Sequence, residues 1–222
     1  MKKLLSKVVC CITVVVLLCV MTTQLASASD YSYVLSGGRF SQGIENVTCK
    51  NNVPNSNFPE LHDAVEAAIV DWDWHLAILN ERNNKDWNMS SISGSNAMIE
   101  FYAVSNVEAE AILSSYLGGI ATIDESVNSI TILLYDNALA TGSLWDKGII
   151  LLLYENMRDD GLLYDYYELQ VYLNHEIGHT FGLGDCWNDN GVIMYVYPDF
   201  CTADVPTMAD LNGVYEIYKN VC

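Results

Sequence analysis

The sequence predicts an α+β fold, in which helices and strands follow one another with few regular crossovers. Residues 59–80 have apolar side chains at helical spacing, whereas residues 97–104 and 129–135 are short runs rich in apolar, β-branched and aromatic residues. The chain has 222 residues, of which 51% are hydrophobic, so it is long enough to bury one sizeable core. These observations favour a single domain of mixed structure.

The first 28 residues predict a secretory signal peptide. Three lysines precede an apolar run at residues 8–21 that is too short to span a bilayer, and small residues precede a cleavage point after Ala28. We therefore expect a secreted, extracellular domain of residues 29–222 with no stable membrane anchor. An uncleaved anchor is the alternative.

The first half of this domain predicts one long helix. Residues 31–35 predict a strand, residues 37–57 an irregular segment rich in Gly, Asn and Ser, and residues 59–80 the helix. Residues 83–96 are polar and predict a loop before the strand at residues 97–104. The helix has one apolar stripe, made of Leu61, Val65, Ala68, Ile69, Trp72 and Leu76.

The second half predicts two strands and two helices. Residues 118–123 predict a short strand after a glycine turn, and residues 129–135 predict another. A helix is expected between residues 162 and 180, with Asp165 as its N-cap and a reciprocal glutamate three residues later. The last helix, residues 207–220, starts with Thr-x-x-Asp; its apolar face comprises Met208, Leu211, Val214 or Tyr215, and Tyr218.

Charge and cysteine content restrict the partners and the compartment. Ten basic residues face 28 acidic ones, a net charge of −18, which excludes nucleic acid and anionic membrane surfaces as partners. Beyond the signal peptide the cysteines are Cys49, Cys186, Cys201 and Cys222, an even number that predicts two disulfides with three possible pairings. We favour Cys186–Cys201, which closes a short loop, and Cys49–Cys222 as the remaining pair.

The segment HEIGHTFGLGD, which begins at His175, carries the strongest chemical signal. His175 and His179 are four residues apart, so on a helix both imidazoles can bind one metal ion. Glu176 can reach a water on that ion as a general base. Gly182 can end the helix in a left-handed conformation, which turns the chain back and makes Asp185 the third ligand.

The third ligand has few alternatives. His62 and His75 are the other histidines beyond the signal peptide, and both lie in the first predicted helix. Cys186 is a soft ligand, but the favoured disulfide already uses it. Two histidines and the Asp185 carboxylate leave one position open for water, as a catalytic zinc ion requires, so we predict one catalytic Zn²⁺.

These motifs resemble those of the metzincin metallopeptidases. HEIGHTFGLGD matches the extended zinc-binding motif of that family, and GVIMYVYP, from Gly191, lies where its methionine turn follows the third ligand. TMADLNGVYEIY, from Thr207, is similar to the C-terminal helix of matrixins, and DYYELQVYLNHEIGHTFGL is also matrixin-like. The resemblance covers most of residues 97–222.

Departures from the matrixin pattern are informative. Asp185 stands where matrixins use histidine, and it is similar to the third ligand of the snapalysin group of small secreted bacterial proteases, as is a disulfide around the methionine turn. Cys49 lies in NVTCKNN, which does not resemble a cysteine-switch segment. The histidines of a second, structural zinc site are missing, so one zinc is expected. Ca²⁺ is a further ion that the family and the acidity suggest, without assignable ligands.

The resemblance also implies a fold and a substrate site. The fold would be a zincin-like twisted mixed sheet with an active-site helix and a C-terminal helix. Met194 would lie beneath the zinc ligands as an apolar floor. An edge strand containing Gly119 and Ile120 would bind an extended peptide above the cleft, and Tyr195 and Tyr197 would line the pocket beyond the scissile bond.

The sequence therefore predicts a secreted, monomeric zinc endopeptidase that acts on a protein or peptide substrate. Zinc would polarise the scissile carbonyl, and Glu176 would move a proton from water to the leaving amine. One alternative is a catalytically silent zincin-fold protein that binds a peptide or partner, against which the intact Glu176 argues. Another is a metal-dependent hydrolase of a non-peptide substrate such as cell-wall cross-links, but no carbohydrate-binding module is evident.

Overall fold

A six-stranded mixed sheet and five α-helices make up the core of the computed structural model, which describes residues 33–221. The strands are β1 (Val34–Leu35), β2 (Arg39–Phe40), β3 (Val47–Asn51), β4 (Met89–Ser91), β5 (Ile99–Val104), β6 (Ser129–Tyr135), β7 (Ala138–Leu139), β8 (Leu144–Trp145), β9 (Lys147–Leu153) and β10 (Leu183–Gly184). The helices are α1 (Pro59–Asn83), α2 (Asn106–Leu117), α3 (Tyr154–Asp159), α4 (Tyr166–Thr180) and α5 (Met208–Tyr218). The α+β class is confirmed. The predicted signal peptide and Cys222 lie outside the described residues.

The large sheet has the strand order β4-β3-β5-β9-β6-β7. Strands β4, β3, β5 and β9 are mutually parallel, whereas β6 runs antiparallel to β9. The last strand, β7, pairs with β6 only at Leu134 and Tyr135. Most of the outer edge of β6 therefore has no strand partner within the described chain.

Strand β9 is buried on both faces and divides the core in two. Ile150 and Leu152 face the larger cluster, in which α1, α4 and α5 pack on one side of the sheet. Ile149, Leu151 and Leu153 face a smaller cluster on the other side, which α2 covers. Because side chains alternate along a strand, an unbroken apolar run such as this one fits a strand covered on both faces.

The three long predicted helices are confirmed. All six residues of the predicted α1 stripe are buried, and the Trp72 indole Nε1 donates to Asn174 O at 3.0 Å, which links α1 to α4. Asp165 caps α4 by accepting from two backbone N–H groups. Thr207 and Asp210 form a capping box at the start of α5. No helix within residues 33–221 is both long and apolar enough to cross a membrane.

The predicted strand at residues 118–123 is wrong. The capping box of Ser105 starts α2 immediately after β5, and Gly118 ends that helix in a left-handed conformation. The chain then runs back along α2, where the backbone N–H groups of Ala121 and Ile123 donate to side chains of that helix. These donors are therefore not available to a strand. The segments predicted as irregular, 37–57, and as loop, 83–96, also contain short strands that include β3 and β4.

The described cysteines are unpaired thiols in the structure. Cys49 is fully buried in β3 and Cys186 is buried after β10. The Cys201 thiol points to the carbonyl oxygens of Val192 and Ala203, at 3.0 and 3.3 Å, so the structure does not contain the predicted Cys186–Cys201 bond. The Cys49–Cys222 pair stays a prediction, because Cys222 lies outside the described residues.

An ion pair between a buried glutamate of β5 and a partly exposed lysine of β9 predicts how stability depends on pH. Glu100 is 5% exposed, and Lys147 Nζ lies 2.8 Å from its carboxylate. Burial alone would raise the pKa of Glu100, but hydrogen bonds from Lys147 and Tyr102 and the lysine charge outweigh it, so the pKa is lowered. A lowered carboxylate pKa contributes stability above its value in the unfolded chain, and this contribution is lost as the pH falls through the folded-state pKa.

We expect Lys147→Met to lower the free energy of unfolding by about 1–3 kcal/mol at pH 7, because Glu100 keeps its charge and loses its cation. The deficit should shrink as the pH falls through the lowered pKa of Glu100, because the carboxyl group then becomes protonated. Urea unfolding at pH 7 and pH 3 measures both values. The matched control is Arg158→Met, which removes an exposed ion pair and should have little effect. An equal deficit at both pH values would contradict the assignment.

Candidate metal centre

The last turns of α4 present two histidines to the same point. His175 and His179 are one helical turn apart, and their rings are nearly perpendicular with centroids 4.7 Å apart. His175 is 5% exposed. Helical spacing alone therefore brings the two imidazoles together.

A backbone carbonyl fixes the orientation of each ring. His175 Nδ1 lies 3.0 Å from Ile193 O, and His179 Nδ1 lies 3.0 Å from Leu183 O. A carbonyl oxygen can only accept, so both Nδ1 atoms carry the proton in these contacts. When a ring is neutral, its Nε2 atom then has a lone pair available to bind a metal ion.

A glycine turn brings an aspartate carboxylate back to the helix. Gly182 has φ +94°, and a Cβ there would overlap with Gly38 O, so a larger residue does not fit. Strand β10 follows at once and pairs with β1. This path places Asp185 Oδ1 at 3.3 Å from His175 Nε2 and 3.5 Å from His179 Nε2.

The spacing of these atoms fits a metal ion of the size of zinc. Ligand atoms about 2.0–2.1 Å from a tetrahedral ion lie roughly 3.3–3.4 Å from one another. The two distances from Asp185 Oδ1 to the imidazoles are close to this value. His175, Glu176 and His179 also form a group whose ligand atoms all lie within 4.8 Å of one another and that could hold a metal ion.

Opposite charges at the centre affect one another. Burial lowers the pKa of His175, but the hydrogen bond to Asp185 and the charges of Glu176 and Asp185 outweigh burial and raise it. Burial raises the pKa of Asp185, whereas the hydrogen bond from His175 and the charges of both imidazoles lower it overall. A cation bound between these groups would replace the proton that they share.

Two hydroxyl groups from β6 hold the Glu176 carboxylate. Ser129 Oγ donates to Glu176 Oε1 at 2.6 Å, and Thr131 Oγ1 donates to Glu176 Oε2. Glu176 itself is 8% exposed. Ser129 and Thr131 were not predicted as site residues, because they are 47 and 45 residues from Glu176 in the sequence. Hydroxyl residues at alternate positions of a strand were the available signal.

The segment that follows Asp185 packs against the helix that carries the two histidines. Met194 is fully buried and packs against α4 at Gly178, between the two histidines. Asp210 of α5 is fully buried and accepts from the backbone N–H groups of Ile193 and Met194, at 3.1 and 3.4 Å. Burial raises the pKa of Asp210, although the hydrogen bonds it accepts act in the opposite direction. The C-terminal helix thus fixes the turn whose Ile193 carbonyl orients His175.

The other predicted site residues lie in different places. Ile120 is 96% exposed in a segment that is not a strand, so the prediction of an edge strand at Gly119 and Ile120 is wrong. Tyr195 is half-buried, and Tyr197 is exposed. Their ring centroids are 5.9 Å apart. Two exposed aromatic residues that were not predicted lie beside Tyr197. The ring centroids of Trp187 and Phe200 are 5.9 and 6.5 Å from that of Tyr197.

The alternative histidines do not reach the centre. His62 Nδ1 lies 2.8 Å from Val53 O, and His75 Nδ1 lies 2.7 Å from Asp71 O, both on α1. Neither belongs to the group that could hold a metal ion. Calcium ligands stay unassigned.

Gly178→Ala is expected to destabilise the protein by about 1–3 kcal/mol, although alanine is normally the better helix former. A Cβ at Gly178 would overlap with the Met194 sulfur, and Met194 is fully buried. Thermal unfolding of the metal-free protein measures the loss. Gly142→Ala is the control, because a Cβ there meets nothing within 4 Å. Stabilisation by Gly178→Ala would show that Met194 can move aside.

No protein-family model matches this chain, and no curated protein matches it significantly.

Proposed function

We propose that this protein is a secreted zinc-dependent endopeptidase of the metzincin type. The observation that carries the proposal is that Asp185 Oδ1 lies 3.3 Å from His175 Nε2 and 3.5 Å from His179 Nε2, close to the separation of two ligand atoms on a tetrahedral zinc ion. The adjacent Glu176 carboxylate supplies the base that peptide hydrolysis needs. The motif HEIGHTFGLGD and the C-terminal helix resemble those of metzincins and support the same conclusion.

The donor set favours zinc over calcium and magnesium. Two imidazole nitrogens and one carboxylate oxygen suit Zn²⁺, whereas Ca²⁺ and Mg²⁺ take mainly oxygen ligands. His175, His179 and Asp185 would hold the ion and leave one position open. Zinc bound there would supply a Lewis acid that polarises the scissile carbonyl and makes water more acidic.

The protein's own residues would move the proton. Glu176 would take a proton from the attacking water on one carboxylate oxygen and deliver it to the nitrogen of the leaving amine. The bonds from His175 Nδ1 and His179 Nδ1 to carbonyl oxygens keep both rings in the orientation that binding requires. His175 would thus bind the ion, and the next residue of the helix, Glu176, would carry the proton.

An extended peptide would lie along β6. This strand contacts Glu176 through Ser129 and Thr131, and β7 pairs only with its last two residues. Main-chain groups along the rest of its outer edge could pair with a substrate strand. In this proposal β6 is the substrate-binding edge strand, instead of the predicted strand containing Gly119 and Ile120. We propose, as the sequence predicts, that Tyr195 and Tyr197 line the substrate pocket beyond the scissile bond.

The remaining properties are proposed on sequence grounds. The predicted signal peptide supports secretion, and the net charge of −18 supports a protein or peptide substrate rather than nucleic acid. We propose that the protein acts as a monomer.

Cleavage of unfolded casein by the purified protein tests the function. A zinc chelator should abolish cleavage, and added Zn²⁺ should restore it, whereas added Mg²⁺ should not. No cleavage by protein that contains one zinc ion per chain would reject the endopeptidase and favour the silent peptide-binding alternative. Cleavage that persists in the chelator would exclude a metal mechanism.

A further inference from the structure

Two carboxylates lie close enough to the imidazoles to serve as the third ligand. Asp185 Oδ1 is 3.3 and 3.5 Å from the two Nε2 atoms. Glu176 offers an oxygen within 4.8 Å of a nitrogen of each histidine. Zinc accepts either carboxylate. The surrounding residues must therefore decide which acid binds the metal ion.

Strand β6 holds Glu176 by both of its oxygens. Ser129 Oγ donates to Oε1, and Thr131 Oγ1 donates to Oε2. Residues two apart on a strand project to the same face, so one strand presents both hydroxyls. Hydrogen bonds to a carboxylate are stronger than those between neutral groups, which makes this contact a real constraint on the side chain.

The support behind these hydroxyls is rigid. Ser129 pairs with Leu152 of β9, and Thr131 pairs with Ile150. Leu152 and Ile150 are fully buried. The hydroxyls stand on short side chains, so their positions follow from the packing of the sheet.

Asp185 has a different environment. Its carboxylate contacts the two imidazoles, and in the described part of the chain no hydroxyl holds it. Its side chain is 41% exposed. It can therefore adjust to a metal ion, whereas Glu176 must first break two hydrogen bonds.

We propose that Ser129 and Thr131 are positioning residues that hold Glu176 on β6, out of the coordination shell, and so leave Asp185 as the carboxylate ligand. This inference rests on the proposed metal site and deepens it. Without the hydroxyls, Glu176 loses both of these hydrogen bonds, and its carboxylate is left within reach of an ion bound at the two histidines. Glu176 then becomes a further ligand and is lost as a base.

The test replaces zinc with Co²⁺, whose visible absorption reports the number and geometry of its ligands and weakens when a fifth ligand joins four. The double variant Ser129→Ala/Thr131→Val should bind one Co²⁺ with a weaker visible band than the wild type. Its kcat for peptide cleavage should fall about 10–100-fold, with KM little changed. Thr131→Val keeps the shape of the side chain and removes only the hydroxyl.

Two variants serve as controls. Thr131→Ser is the conservative variant: it keeps the hydroxyl and should rescue the Co²⁺ band and the kcat that Thr131→Val loses. Ser90→Ala removes an exposed hydroxyl of β4, far along the sheet, and should change neither value. If the double variant does not fold, Ser129→Ala and Thr131→Val alone should each give a smaller shift of the same sign.

The Co²⁺ spectrum tests the positioning role, and peptide cleavage tests the endopeptidase proposal, so the two can fail independently. An unchanged Co²⁺ spectrum in the double variant overturns the inference, whether or not the wild type cleaves peptides. Loss of Co²⁺ binding also overturns it, because the hydroxyls would then be needed for binding itself. A weakened band in a protein that cleaves no peptide supports the positioning role and rejects the endopeptidase.

Discussion

Glu176→Gln is expected to keep the bound metal ion and to lower kcat for peptide cleavage by about 10²–10⁴-fold. The amide has nearly the same shape as the carboxylate but cannot accept a proton at neutral pH, which removes general-base catalysis. The hydroxyls of Ser129 and Thr131 can rotate, so they can still bond to the amide. Metal content and kcat, measured on the same sample, separate the two effects.

The matched control is Glu168→Gln, an exposed residue in the first turn of α4. It changes charge on the same helix without touching the centre, so its kcat should stay within about twofold of the wild type. Two results would contradict the role of Glu176. Full activity would show that another group moves the proton, and loss of the metal ion would make Glu176 a ligand.

Local sequence patterns were enough to find the elements that carry the centre. His175, Glu176, His179 and Asp185 fall within a single short segment, where helical spacing and one glycine turn decide the geometry. The N-caps Asp165 and Thr207 mark the starts of α4 and α5 in the same local way. Features that a few neighbouring residues determine could be predicted.

Features that depend on strand pairing could not be predicted from the sequence. The contact between β6 and Glu176 joins residues more than 40 positions apart, and it exists because β6 pairs with β9. Strand β9 itself was not assigned, although its apolar run was a usable signal for a strand buried on both faces. Without β9, the antiparallel strand beside the helix could not be identified.

The false edge strand has a specific cause. Residues 118–123 have the composition of a strand, but Ser114 and Glu110 of α2 accept the backbone N–H groups of Ala121 and Ile123. Ser and Glu side chains can compete with a neighbouring strand for such donors. The competition is decided by how α2 packs on the sheet, which the local sequence does not specify.

Asp185→Ala is expected to reduce metal affinity more than about 100-fold, because it removes one of three proposed ligand atoms. Where the wild type is saturated, such a loss corresponds to about 2.7 kcal/mol of the stabilisation that the metal ion provides. The metal-free proteins should differ much less, since the Asp185 side chain is 41% exposed and is held by its contacts with the two imidazoles. Thermal unfolding with and without Zn²⁺ measures both quantities.

Two further variants make this experiment specific. Asp189→Ala removes another aspartate of the same loop, which accepts from Gly191 N at 2.8 Å, and should leave metal affinity nearly unchanged. Asp185→His restores a ligand atom of the kind that zinc accepts and should recover much of the affinity. Equal affinity in wild type and Asp185→Ala would instead assign the third position to Glu176, the other carboxylate within reach. The general base would then have to be sought elsewhere.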